Sequence, residues 1–254
     1  MKNIALTDRL TTREFWVDYW AKTKAGVVTD QVFFKSLLPY FPKAPASVLE
    51  IGGFPGSLSA YFKKIHNYDV TLLDYVIVTD IIREVEKINA LKTGDIQTLE
   101  GDLFELTPSK NFDVVISTGF IEHFKNIDHV FSKHVEYLKK DGLLFVSIPN
   151  FKGISGYAQK CFDRHNYSVH NIDCMEKSVF EKLCANYNLE IKYLDYYGIP
   201  HMWLDHPEKV STLARNFIYT TTAILMRLYR LFHGRLMNGR LFSPYIVLIA
   251  QLNK

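Results

Sequence analysis

Cysteine is scarce. The chain has three in 254 residues, Cys161, Cys174 and Cys184, far apart and with no CxxC pair. That spacing excludes a disulfide framework and a paired-thiol zinc site, and it fits free or buried thiols in a reducing compartment. Long apolar runs are also lacking. The longest candidate, 216–226, is bracketed by Arg215 and Arg227, well short of the roughly 18 residues that a spanning helix needs. The opening residues, MKNIALTDRLTTREF, have no apolar stretch of the kind a signal peptide carries. These absences lead to the expectation of a cytoplasmic protein without a transmembrane span. A strong charge of one sign is missing too, since the net charge is +3, so nothing global favours a nucleic-acid partner. The charge is unevenly placed, however. Residues 201–254 carry seven Lys/Arg against Asp205 and Glu208. The sequence contains no internal repeat and no low-complexity tract.

What is present is an alternation. Hydrophobic residues make up 48% of the chain and charged residues 22%, enough to build a full core. Short apolar runs at 47–51, 70–73, 96–99, 112–117 and 143–148 alternate with helical patterns near 57–66, 79–92 and 126–140. The runs are nearly continuous (DVVIS, LLFVSI), as in strands covered by helices on both faces of a parallel sheet. The pattern predicts a doubly wound α/β fold. Two further strands are expected at 190–196 and 244–251. Residues 12–40 read as two capping helices, the first carrying Phe15, Trp16, Tyr19 and Trp20. Residues 201–242 read as a helical insertion. Its central helix sets Leu213, Phe217, Ile224, Leu228 and Leu231 on one side and Asn216, Thr220, Ala223, Arg227 and Arg230 on the other. The organisation expected is a cap (1–45), a ligand-binding domain (46–200 with 243–254) and the insertion.

The stretch VLEIGGFPGSLSAYF (48–62) carries the functional signal. A strand ends in Glu50, and Gly52, Gly53 and Gly56 let backbone approach a ligand at the strand-to-helix corner. The G-x-G-x-x-G of a dinucleotide site is not met, and Pro55 removes an amide that could serve a phosphate. The order of residues instead resembles the class I, Rossmann-like methyltransferases dependent on S-adenosylmethionine, whose first motif is an acid followed by G-x-G-x-G. Here Phe54 stands where the central glycine would be. It either points away from the pocket or fills it. Four further segments stand in register with that family: Asp74, 24 residues after Glu50; Gly101-Asp102-Leu103; Ser117-Thr118-Gly119-Phe120-Ile121-Glu122-His123; and LKKDGLLFVSIPN at 138–150.

The resemblance implies a seven-stranded, mostly parallel sheet with an antiparallel last strand, and S-adenosylmethionine as cofactor. It places Glu50, Gly52, Gly53 and Gly56 at the loop, Asp74 on the ribose and Tyr75 beside adenine. Asp102 with Leu103 would meet the adenine amino group, and Ser117 and Thr118 would follow the fourth strand. His123 is the candidate base, since imidazole titrates near neutrality. Glu122 would orient it or cap the loop, and His165 or His170, in the loop after the fifth strand, would serve as a base or a substrate contact. Some relatives with an E-x-x-E-H segment bind a divalent metal; Gly119 replaces the first acid here, so no metal is expected. The function expected is O-methylation of a small-molecule or saccharide acceptor, in a chain similar to enzymes of bacterial polysaccharide modification. A silent methyltransferase-like partner subunit and an NAD-dependent oxidoreductase are the competing readings. A homodimer face and a weak membrane-surface contact stay open for 207–232.

Overall fold

A computed structural model describes residues 8–21, 23–232 and 237–253. Seven strands form one sheet in the order β3-β2-β1-β4-β5-β7-β6: β1 (Ser47–Ile51), β2 (Asp69–Asp74), β3 (Ile96–Glu100), β4 (Phe112–Thr118), β5 (Leu138–Pro149), β6 (Leu189–Tyr197) and β7 (Tyr245–Leu252). β1 through β5 are mutually parallel, and β7 runs antiparallel between β5 and β6. The strand order reverses between β1 and β4, so the loops leaving their carboxyl ends part and open a crevice there.

Successive residues of each strand face opposite layers. Leu49, Ile51, Val115, Leu144 and Val146 pack into one core, and Val48, Val70, Leu72, Val114 and Phe145 into the other. This explains the unbroken apolar runs. The helices α2 (Ser57–His66) and α3 (Thr79–Ile88) supply the second core. The helices α4 (Ile127–Glu136) and α7 (Lys177–Asn186) supply the first. The order of elements along the chain is completed by α1 (Arg13–Trp20), α5 (Ile154–Phe162), α6 (Arg164–Ser168) and α8 (Thr212–Leu231).

Several local expectations are corrected. Among the described residues of 12–40 there is one α-helix. Thr12 caps α1 by accepting a hydrogen bond from the Phe15 amide, but 23–34 is mostly extended and Lys35–Tyr40 is a short 3-10 helix containing Pro39. The extended piece is held by Asn89, which accepts from the Val28 amide at 2.7 Å and donates to Gly26 O at 3.0 Å. The helix expected to reach 140 stops at Glu136. The expected Asp141-Gly142 turn lies inside β5, where Asp141 has φ 63° and the register against β4 shifts. The stretch after β5, read as a loop, contains α5 and α6. The buried face of α5 is Ser155, Gly156, Ala158 and Gln159, so it shows no apolar period. In the inserted helix α8 the apolar side faces outward and Ile218 is the buried residue.

Phe34 is the residue that fastens the N-terminal segment to the sheet. It is fully buried, 4.6 Å from the Phe145 ring and 5.9 Å from that of Phe41. Phe34→Ala should cost about 3–5 kcal/mol. Urea unfolding should show this as a lower midpoint with an unchanged slope.

Candidate active site

The crevice holds a cavity of about 480 Å³, within the range of small-molecule sites. Its floor is the turn from β1 into α2. Glu50 is buried, and its Oε2 accepts from the Ser59 amide at 2.8 Å and from Ser59 Oγ at 2.6 Å. The carboxylate thereby ties the strand end to the first turn of α2. Burial pushes its pKa up to about 7, against the lowering effect of the Ser59 bonds. A Cβ on Gly53 would collide with this carboxyl group, and Gly52, at φ +70°, would drive a Cβ into the Phe120 ring. Gly56, at φ +90°, sits at the N-cap of α2. These three positions require glycine for turn geometry and close approach.

Asp74, at the end of β2, lines the cavity and is 7% exposed. Its Oδ2 accepts from the Phe54 amide at 2.9 Å and its Oδ1 from the Val76 amide at 3.1 Å. Burial raises its pKa and these bonds oppose the rise. Phe54 resolves one open question. Its side chain joins the core on the α2/α3 side and packs on Trp20 with ring centroids 5.5 Å apart. The cavity remains open beside it, so Phe54 is part of the wall.

The opposite wall is polar. Glu122, His123 and His170 all line the cavity, and their ligand atoms lie within 4.8 Å of one another. They come from the segment after β4 and from the segment after α6. His123 Nδ1 donates to Val169 O at 2.9 Å and His170 Nδ1 donates to Asn166 O at 2.6 Å. Because a carbonyl only accepts, both rings carry their proton on Nδ1 and keep a lone pair on Nε2. Burial, then the neighbouring His170, pushes the His123 pKa down to about 3. Glu122 is fully buried, neither carboxyl oxygen has a hydrogen-bond partner among the described residues, and burial pushes its pKa up to about 8. This trio is also the set that could hold a divalent cation, which the sequence reading did not expect.

Over the cavity lies α1. Trp16 meets His123 edge-on at 5.1 Å, Phe15 lies 6.2 Å from His165, and the Tyr19 hydroxyl donates to Asp205 at 3.4 Å. The helix has no fully buried residue of its own, so its aromatic side is committed to roofing the cavity. The preceding segment is laced to the His123 loop: the Leu10 amide donates to His123 O at 2.8 Å and the Lys125 amide donates to Asp8 O at 2.7 Å.

Of the residues expected at the cofactor, Glu50, Gly52, Gly53, Asp74, Tyr75, Leu103 and Thr118 line the cavity. Gly56 shapes the turn behind it. Two expectations are corrected. Ser117 points into the core and pairs with His134 Nε2 at 3.0 Å, because it alternates with Thr118 along β4. Asp102 does not line the cavity; it forms an ion pair with Arg9 and accepts from the Phe104 amide. The Arg9 guanidinium lies 4.6 Å above the Tyr75 ring, over the residue expected beside adenine. Arg9, Trp203 and Asp205 also line the cavity and were not foreseen. Each sits far in sequence from any motif, and no local pattern marks it.

Comparison with known proteins agrees with this arrangement. A family model described as a methyltransferase domain matches residues 29–194, more than half of the chain, and the chain belongs to that family. A 104-residue stretch, 39% of the chain, is 33% identical to (S)-coclaurine N-methyltransferase of Papaver somniferum and spans 28% of that relative's length. A SAM-dependent methyltransferase from Archaeoglobus fulgidus superposes with TM-score 0.54 at 17% identity, covering 94% of each chain. The plantazolicin methyltransferase BpumL, solved with a triazolic desmethylPZN analog and S-adenosylhomocysteine, gives 0.54 at 16% identity over 87% of this chain and 83% of its own. Geranyl diphosphate C-methyltransferase from Streptomyces coelicolor A3(2), solved with Mg²⁺, geranyl diphosphate and S-adenosylhomocysteine, gives 0.53 at 12% over 85% and 77%. The cofactor is S-adenosylmethionine. A cavity with a bare glycine turn, a carboxylate at the end of β2 and an apolar residue, Leu103, fits a nucleoside with a thioether tail.

Asp74→Ala should weaken binding of S-adenosylhomocysteine at least tenfold, since a charge-assisted hydrogen bond contributes about 1.5–3 kcal/mol. Gly53→Ala should do at least as much by displacing Glu50. Calorimetry reads both, and unchanged affinity in Asp74→Ala would place the sugar elsewhere.

Proposed function

We propose that the protein transfers the methyl group of S-adenosylmethionine to a hydroxyl of a small molecule or saccharide, with His123 as base and S-adenosylhomocysteine as product. The observation that carries this reading is geometric: His123 lines the cavity, and its Nδ1 bond to Val169 O leaves the Nε2 lone pair without a partner among the described residues, while burial lowers the ring's pKa far below the near-neutral titration expected of it. When bound, the cofactor supplies a methyl group activated by a sulfonium. The protein's part is mainly positioning, which can contribute roughly 7–11 kcal/mol to such a displacement. His123 takes the acceptor proton. Burial holds Glu122 beside it in the uncharged form, so its carboxyl offsets the imidazolium charge only after giving up its own proton. Trp16 and Trp20 in the roof exclude water, and Asp74 would accept from the sugar hydroxyls of the bound cofactor.

A second reading is favoured by one observation. A fully buried carboxyl without a partner, in a cavity walled by Phe15, Trp16, Phe120 and Trp203, also suits an amine acceptor. Once ionised, Glu122 attracts an ammonium, as the aromatic faces do, and its raised pKa suits it to take the proton that the nitrogen must lose before it can accept the methyl group. The poppy relative's name points the same way, to N-methylation. Release of S-adenosylhomocysteine in a screen of hydroxyl and amine acceptors separates the two readings. With a hydroxyl acceptor, His123→Ala should lower kcat by about 10²–10⁴-fold and leave S-adenosylhomocysteine affinity unchanged. Full activity in that variant would retire His123 as the base. Dialysis against EDTA should leave turnover intact, and loss restored by a divalent cation would reassign the Glu122, His123 and His170 cluster to a metal. A chain that binds the cofactor and methylates nothing in the screen would support a silent partner subunit.

A further inference from the structure

The structure leaves one large apolar feature unused by the cavity. Along α8, Leu213, Phe217, Ile224, Leu228 and Leu231 are 84%, 64%, 53%, 40% and 67% exposed. At 3.6 residues per turn these five side chains fall within an arc of about 60°, so they form a single stripe running about 30 Å along the helix. The helix is fixed from its other side. Ile218 is buried, and Thr222 Oγ1 accepts from the Met202 amide at 3.1 Å. Met202 adjoins Trp203, which lines the cavity. The stripe is therefore presented by an anchored helix at the rim of the site.

The charge carried by α8 itself has one sign, Arg215, Arg227 and Arg230 with no Asp or Glu. From Lys209 to the last residue, Lys254, the sequence contains no Asp or Glu and seven Lys/Arg. Arg227 and Arg230 are exposed on the flank of the stripe, and neither forms an ion pair with a described residue. We propose that α8 docks on a lipid bilayer bearing anionic headgroups, the stripe entering the interface and the arginines meeting phosphate.

Three features favour this occupant. The helix is amphipathic, with Asn216, Thr220 and Arg227 interrupting any apolar run, and no helix among the described residues is long and apolar enough to cross a membrane. It therefore lies in the interface plane. An exposed apolar stripe with cations beside it matches an apolar layer under negative headgroups. A two-fold dimer through the same face would gather the arginines of both copies in one contact, and α8 itself carries no acid to offset them.

The test is co-sedimentation of the full chain with vesicles. Partition onto vesicles of phosphatidylcholine with about 30% phosphatidylglycerol should exceed that onto phosphatidylcholine alone at least tenfold, and it should fall as salt screens the arginines. The pair Phe217→Ser, Leu228→Ser and the pair Arg227→Glu, Arg230→Glu should each reduce it tenfold or more. Both variants should bind S-adenosylhomocysteine as the parent does, which shows that they are folded and keeps this test separate from the cofactor reading. Absence of binding to anionic vesicles would overturn the proposal. So would a dimer, seen by light scattering, that the Phe217→Ser, Leu228→Ser variant dissociates.

Discussion

Two buried carboxylates hold the site in shape. Stripping a carboxylate of water costs several kcal/mol unless hydrogen bonds replace the lost hydration. Glu50 recovers them from the amide and hydroxyl of Ser59, and Asp74 from the amides of Phe54 and Val76. The Phe54 and Val76 amides belong to the turns that follow β1 and β2, and Ser59 to the first turn of α2. The acids thus fix the two loops that frame the cavity, and those loops in turn keep the acids at its edge. Gly53 is the consequence. Only a residue without a side chain leaves Glu50 where it can reach Ser59.

The far wall obeys a different logic. Glu122 and His123 are buried and His170 is half-buried, and each histidine is oriented through Nδ1 by a main-chain carbonyl. Burial favours the uncharged form of all three, which raises the acid and lowers the bases. Groups held this way are costly for stability, and such perturbed groups gather where chemistry is done. The roof belongs to the same unit. Leu10 and Asp8 are bonded to the His123 loop, so the segment leading into α1 is tied to that wall of the cavity.

The inserted helix α8 shares the rim of this cavity through the Met202 to Trp203 segment. A protein whose mouth adjoins an apolar, cationic ridge could meet an acceptor at a surface as readily as in bulk water, and its roofing aromatics would suit an acceptor with an apolar part.

Much of the fold was legible in the sequence because the strands are buried on both faces and read as apolar runs bounded by turn residues. Glu50, the glycines and Asp74 were legible for a related reason: a strand-to-helix corner and a strand end are local events written in adjacent residues. The helices after β5 were hidden because α5 buries small and polar side chains. Arg9, Trp203 and Asp205 could not be found because only tertiary packing brings them over a cavity made by distant loops. Direction was the other quantity withheld. Residue order gave the two faces of α8, but which of them met the protein, and whether Ser117 or Thr118 met the cavity, was decided by how the elements pack against one another.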